Sequence, residues 1–169
     1  MQELPTHGGS LRVFARLNEN TQLTVQPIVE TIINREIKKG FTTIEFFNDF
    51  PKKVERVKKD LLAFLKAAKA GGKKVVGYGA PAKGNTLLNY CKVGADLISF
   101  TVDKNIHKQG KYLPGSHIPV FSPDKIRAEK PDYVLILPWN IRDEVMSQMS
   151  YIKSWGAKFV IPLPHVEII

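Results

Sequence analysis

The sequence predicts an α/β fold: a parallel sheet of about four or five strands with flanking helices, preceded by a long amphipathic helix. Three observations predict it. Short apolar runs at residues 75–79, 98–103, 133–137 and 158–162 alternate with helical patterns. Each run is nearly continuous, as in strands covered on both faces. The first run enters a glycine turn that opens a helix, and the second ends in an acid, Asp103. Strand, glycine turn, helix, strand and acid in that order form a Rossmann-like unit with right-handed crossovers.

The elements follow along the chain. Leu11 to Leu17 alternates apolar and polar residues, as a half-buried strand does, after the turn-rich Pro5-Thr6-His7-Gly8-Gly9-Ser10. No hairpin partner is evident, so this strand is expected to close a preceding domain, with Met1 an added start. Residues 18–24 are polar and read as a linker. A helix runs from Pro27, which can open it, to about Lys39, where Gly40 can end it. A second, long helix starts at Asn48 or Asp49 and stops before Gly71-Gly72. Its apolar stripe is Val54, Val57, Leu61, Leu65 and Ala68.

After the strand at 75–79 comes a helix over 82–90. The strand at 98–103 leads into a long loop carrying Gly110, Pro114, Gly115 and Pro119. Ser122-Pro123-Asp124 signals a helix start. The strand at 133–137, a helix over 142–154 ended by Gly156, and the strand at 158–162 complete the pattern. This divides the chain into residues 1–24, the tail of a preceding domain; 25–74, a helical connector; and 75–169, the Rossmann-like domain.

Composition excludes several classes. No apolar run approaches the ~20 residues of a membrane-spanning helix, and no signal peptide pattern follows Met1. One cysteine, Cys91, precludes an intrachain disulfide and an all-cysteine metal site. Near a helix end it reads as a small buried hydrophobe. A cytoplasmic protein is the simplest reading. The net charge of +9 raises the question of nucleic acid. However, residues 35–74 hold 12 Lys/Arg against 5 Asp/Glu, so the excess sits on the amphipathic helices. It reads as a solvated face without aromatic platforms, and neither nucleic acid nor a membrane is expected as partner.

The candidate site is Gly77-Tyr78-Gly79-Ala80-Pro81-Ala82-Lys83-Gly84. Glycines allow a tight turn and close approach of a phosphate, and the following helix start offers free N–H groups to an anion. Lys83 can add positive charge. Asp103, 26 residues after Gly77, can accept hydrogen bonds from ribose hydroxyls. Asn105 and His107 follow at the carboxyl end of the sheet. The spacing reads G-x-G-x-x-x-x-G and departs from the dinucleotide pattern G-x-G-x-x-G. The glycines could equally serve the turn alone.

Seven stretches in order resemble the C-terminal domain of SAM-dependent sugar C-methyltransferases. They are Thr6-His7-Gly8-Gly9-Ser10-Leu11-Arg12, the run from Gly77 through Gly-Asn-Thr-Leu-Leu to Asn89, and Val102-Asp103-Lys104-Asn105. Next come Lys108-Gln109-Gly110-Lys111-Tyr112 and Pro114-Gly115-Ser116-His117-Ile118-Pro119-Val120. Pro131-Asp132-Tyr133-Val134-Leu135 and Pro138-Trp139-Asn140 complete them. The resemblance implies a three-part enzyme acting on a nucleotide-activated keto-deoxysugar. It implies an N-terminal zinc module, a middle SAM domain with a catalytic Glu-His pair, and this C-terminal domain. The first two, with zinc and SAM, are expected upstream; SAM is not expected to bind here, and no catalytic residue is assigned.

The resemblance further implies that this domain supplies contacts to a TDP-sugar-like ligand and pairs with the SAM domain. The residues assigned to that binding are Gly77, Gly79, Lys83, Gly84, Asn85, Asp103, Asn105, His107, Trp139 and Asn140, with His7 reaching in from its glycine-rich loop. Lys83 suits phosphate, Asp103 and the asparagines suit hydroxyls, and Trp139 can stack on a ring. His117 and His165 are given surface or loop roles. Two other classes stand beside this one: an NAD(P)- or CoA-type nucleotide-binding domain, and a scaffold domain with no ligand.

Overall fold

The computed structural model describes all of residues 1–169, in two compact units that divide at Lys53 and Val54. In the first unit, β1 (Gln2–Leu4) pairs antiparallel with β2 (Ser10–Arg12), Gln2 opposite Arg12. The strand expected over residues 11–17 therefore has a hairpin partner just upstream, and only its beginning is strand. The reversal is local: Gly8 and Gly9 take φ of 82° and 121°, and the Ser10 hydroxyl donates to the Thr6 carbonyl at 2.9 Å. Next come α1 (Pro27–Lys38) and the short α2 (Ile44–Asn48), which the sequence reading did not anticipate. Gly40, at φ 79°, breaks the chain after α1. The long helix, α3 (Phe50–Ala70), begins where the Asp49 carbonyl accepts the Lys53 N–H, and the Asp49 carboxylate holds Lys52 at 2.9 Å.

From Val54 onward α3 belongs to the second unit. There the order is β3 (Val75–Tyr78), α4 (Ala82–Tyr90), β4 (Thr101–Val102) and β5 (Val120–Phe121). α5 (Asp124–Glu129), β6 (Tyr133–Ile136), α6 (Arg142–Gln148), β7 (Lys158–Ile161) and β8 (Glu167–Ile168) follow. The six strands lie in the order β5-β4-β3-β6-β7-β8, all parallel except β8. This is the Rossmann-like α/β sheet the sequence predicts, extended by the two-residue edge strands β5 and β8. The helix expected over 142–154 tightens into a 3-10 helix over Ser150–Trp155 before Gly156 stops it at φ 80°. At α5 the N-cap position falls on Pro123, one residue later than the Ser122 cap the sequence suggests, and no side chain caps the helix; the Ser122 hydroxyl accepts the Asp124 N–H only at 3.4 Å.

The sheet is covered on both faces, which is why its strands are apolar throughout. Val75, Leu135 and Val160 face one core with Leu61, Leu65 and Ala68 of α3 and Leu88 of α4. Val76, Val134, Ile136 and Phe159 face the other with Ile126 of α5, Val145 of α6 and Ile152. Cys91 lies in the first core, 1% exposed, and burial pushes its thiol pKa up. An inert packing thiol is the result. Thr101 is the one fully buried polar residue, and its hydroxyl is satisfied by the Gly79 carbonyl at 2.8 Å.

Three glycines set how closely β3 and α4 pack. A Cβ on Gly77 would stand 2.6 Å from Thr101 Oγ1, one on Gly79 2.6 Å from Pro138 Cδ, and one on Gly84 2.8 Å from Leu137 Cβ. Gly84→Ala is expected to lower stability by about 1–3 kcal/mol through overpacking, although alanine favours a helix interior by about 1 kcal/mol. Urea denaturation checks this; a stabilised Gly84→Ala protein would contradict the packing account.

Candidate functional site

At the carboxyl end of the sheet the strand order reverses between β3 and β6. The β3–α4 connection leads to one face and the β6–α6 connection to the other, which leaves a crevice where ligands of open α/β sheets bind. The glycine turn after β3 forms one side. Gly79 takes φ 88°, which glycine adopts without strain, and its N–H donates to the Val102 carbonyl at 2.6 Å. Pro138, directly after β6, closes against it.

Asp103, at the end of β4, holds this turn in place. One carboxylate oxygen accepts the Ala80 N–H at 2.8 Å and Lys108 Nζ at 3.1 Å; the other accepts the Asn105 N–H at 2.8 Å. Lys108 Nζ also donates to the Ala80 carbonyl at 3.0 Å. Gln109 ties down the Asp103 carbonyl at 2.9 Å. Burial works to raise the Asp103 pKa, but the Asn105 and Ala80 amides and Lys108 outweigh it and hold the carboxyl below its ordinary value. The acid picked out as a ribose acceptor is thus also the anchor of the loop that follows it. Asn105 forms an Asx turn, its side-chain oxygen accepting the His107 N–H at 2.9 Å, and both side chains are exposed.

A second group gathers at the start of α4. Lys83 donates to Asn140 Oδ1 and lies over the Trp139 ring, 4.8 Å from its centroid. Burial lowers the Lys83 pKa. One indole face is therefore taken by an ammonium, a cation–π contact that places Lys83 and Asn140 side by side. The first α4 amide bonded within the helix is Asn85, to the Pro81 carbonyl at 3.0 Å, and no side chain caps the N-terminus. The N–H groups of Ala82, Lys83 and Gly84 thus lie ahead of the helical ladder. Asn85 Oδ1 is buried with no hydrogen-bond partner, as is Ser116 Oγ. Asn89, one turn beyond Asn85, bridges the Asn85 and Pro114 carbonyls at 2.9 Å each, tying α4 to the Pro114-Gly115 loop.

The structure therefore brings Gly77, Gly79, Lys83, Gly84, Asn85, Asp103, Asn105, Trp139 and Asn140 to one end of the sheet, with His107 on the loop beyond. His7 belongs to the first unit, in the 3-10 turn Thr6–Gly8, at φ 55°. His117, at φ 54°, and His165 are exposed. The sequence reading missed Tyr78, Lys104, Lys108, Glu144 and Gln148. With Gly79, Asp103 and Pro138 they line a cavity of about 260 Å³ on the α6 side of the glycine turn. Tyr78 sits inside the glycine motif, where it reads as a strand residue; the other four carry no local pattern. No group of three or more His, Cys, Asp or Glu residues in this chain could hold a metal ion.

With the geometry set out, relatives can be placed beside it. The family described as the C-methyltransferase C-terminal domain matches residues 5–164. The C-methyltransferase NovU of Streptomyces niveus is 36% identical over 163 residues, 96% of this chain and 39% of that protein. The chain thus spans well under half the length of that relative. Among solved structures, the UDP-D-quinovosamine 4-dehydrogenase of Vibrio fischeri overlays with a TM-score of 0.44 at 16% identity. That overlay takes in 57% of this chain and 93% of the other, and is too slight a likeness to bear on fold or function.

The Asp103 anchor gives a pH-dependent prediction. Its folded pKa is depressed, so its stabilisation is complete above about pH 4 and is lost as pH falls through the folded value. Asp103→Asn is expected to be about 1–3 kcal/mol less stable than wild type at pH 7, with the difference shrinking as pH drops below about 4. Urea titrations at a series of pH values test this, and a pH-independent difference would refute the anchor.

Proposed function

This chain belongs to the family of C-methyltransferase C-terminal domains, and we propose that it is the substrate-binding accessory domain of a SAM-dependent C-methyltransferase. The substrate in this reading is a nucleotide-activated keto-deoxysugar. The observation that carries it is the assembly at the β3–β6 crevice: an uncapped α4 N-terminus with Lys83, Asn140 and Trp139 together at its start. Helix N–H groups and an ammonium suit a diphosphate, and asparagine amides suit sugar hydroxyls.

In such a reaction a base removes a proton next to the keto group, and the resulting enolate takes the methyl group. When bound, SAM supplies that methyl group as an electrophile. This chain is assigned neither step. Its part is to bind and orient the sugar nucleotide at the crevice, so that the reacting carbon is presented to the methyltransferase domain. That domain, with SAM and the zinc module, is placed in the longer protein. The first unit supports such a partner: Val13, Phe14, Leu17 and Val25 are 60%, 63%, 77% and 72% exposed, apolar side chains that another domain would cover. No helix is long and apolar enough to cross a membrane, and a cytoplasmic location accompanies this reading.

Amide chemical-shift mapping with a TDP-sugar, SAM and NAD added separately tests it. Shifts at Gly79, Lys83, Asp103 and Asn105 with the TDP-sugar alone are expected; shifts with NAD alone would overturn it. Lys83→Ala is expected to weaken TDP-sugar binding by about tenfold, the scale of one charge-assisted hydrogen bond. Isothermal titration reads this, and unchanged affinity would remove Lys83 from the site.

A further inference from the structure

The corner where α2 meets α3 exposes a cluster of aromatic side chains. Every residue from Phe41 to Lys53 is exposed. Among them are Phe41, Ile44, Phe46, Phe47 and Phe50, from 39% exposed at Phe46 to 69% at Ile44. The rings form a group: the Phe41 and Phe46 centroids are 4.6 Å apart, and those of Phe46 and Phe47 5.2 Å. These five side chains present roughly 500 Å² of apolar surface, on the scale of ~150–250 Å² for a whole aromatic side chain. Single apolar residues on a surface need no explanation, but a cluster of this size marks an interaction site. α2 itself has five residues and buries none of them. A helix so short does not sustain itself in water, so a cover is needed to hold this corner.

The charges around the rings describe that cover. Residues 37–53 hold Lys38, Lys39, Lys52 and Lys53 against Glu45 and Asp49. Asp49 is already taken by Lys52. The Lys39 ammonium lies over Phe41, 5.9 Å from its centroid, and that of Lys53 over Phe46 at 5.6 Å. Neither forms an ion pair with a carboxylate of this chain. An apolar face rimmed by carboxylates complements this patch, whereas a second copy would set lysines against lysines.

Building on the accessory-domain reading above, we infer that the α2–α3 corner is a docking surface for the methyltransferase domain of the longer protein. That domain seats an apolar, acid-rimmed face on Phe41, Phe46, Phe47 and Phe50. This surface is additional to the apolar residues between Val13 and Val25. The C-methyltransferase relative leaves ample chain for such a partner, since the matched region is 39% of its length. Permanent interfaces are also the more apolar ones, as this patch is. The corner has a further role through α3. One helix carries Phe50 in its first turn and Leu61, Leu65 and Ala68 into the core beneath the sheet. A domain seated on Phe50 therefore grips the sheet through a single rigid rod, about 30 Å long. Docking at the corner sets the bearing of the crevice toward the methyltransferase domain.

The test compares residues 1–169 with the longer protein by hydrogen exchange and by zero-length carbodiimide cross-linking. Amides 41–50 are expected to exchange rapidly in residues 1–169 and at least about tenfold more slowly in the longer protein. Lys39 and Lys53 are expected to cross-link to Asp or Glu of the methyltransferase domain. Phe47→Asp is expected to restore fast exchange at 41–50 in the longer protein and to lower its methyl-transfer turnover, while residues 1–169 carrying it bind the TDP-sugar as wild type does. Equal exchange in the two proteins would overturn the inference, as would cross-links to the zinc module. Protection of 41–50 in residues 1–169 with a doubled mass in solution would assign the patch to a second copy and overturn it too. Protection and the expected cross-links in a protein that binds no TDP-sugar would leave the docking surface standing and sink the substrate reading.

Discussion

The crevice of the second unit depends on one carboxylate. Asp103 accepts the Ala80 amide, the Asn105 amide and the Lys108 ammonium at once. It thereby joins the turn after β3 to the loop after β4. Without it, Ala80 would lose its acceptor, and the Lys108 loop would lose its hold on the glycine turn. Such an anchor works because the carboxylate is largely shielded from solvent, its side chain 14% exposed, where hydrogen bonds to charge count for more than in water. The position and conformation of Gly79, and with it both sides of the crevice, follow from this junction.

The glycines illustrate how one residue type carries two demands. Gly77 and Gly84 are required by close packing against Thr101 and Leu137. Gly79 is required by both its positive φ and the nearness of Pro138. A phosphate-binding role and a packing role predict the same letters at these positions. The sequence therefore could not separate them, and the irregular spacing of the motif is explained by contacts with β4 and β6 rather than by the dinucleotide pattern.

Much of the second unit was legible because its elements are strongly periodic and sharply punctuated. The helix over 82–90 and the strands near 75, 133 and 158 stand where the residues put them. β5 and β8 were missed because two-residue edge strands leave no pattern to read; their pairing is imposed by neighbours. The strand at 98–103 is regular only over Thr101–Val102, although the Phe100 carbonyl still accepts the Gly77 N–H at 2.8 Å and the Ser99 N–H reaches the Val75 carbonyl at 3.4 Å. In the first unit, a hairpin so short that each strand has three residues hid the partner of Ser10–Arg12. At the site, Asp103 and Lys83 were visible by type and position. Lys108, Glu144 and Gln148 were not, since long-range side-chain pairing has no signature in sequence. Tyr78 was hidden by its surroundings, an aromatic in an apolar run that reads as core.

The strand order carries a mechanical consequence. β5, β4 and β3 with α4 form one half of the sheet, and β6, β7 and β8 with α6 form the other. The halves join along a single seam, the ladder from Val75–Tyr133 to Tyr78–Ile136. The crevice lies at the open end of that seam, with Gly79 and Asp103 contributed by one half and Pro138 and Val145 by the other. Anything bound there acts as a staple across the two halves. Recognition and cohesion then draw on the same contacts, so occupancy would stiffen the sheet where it is otherwise held only by backbone ladder and core.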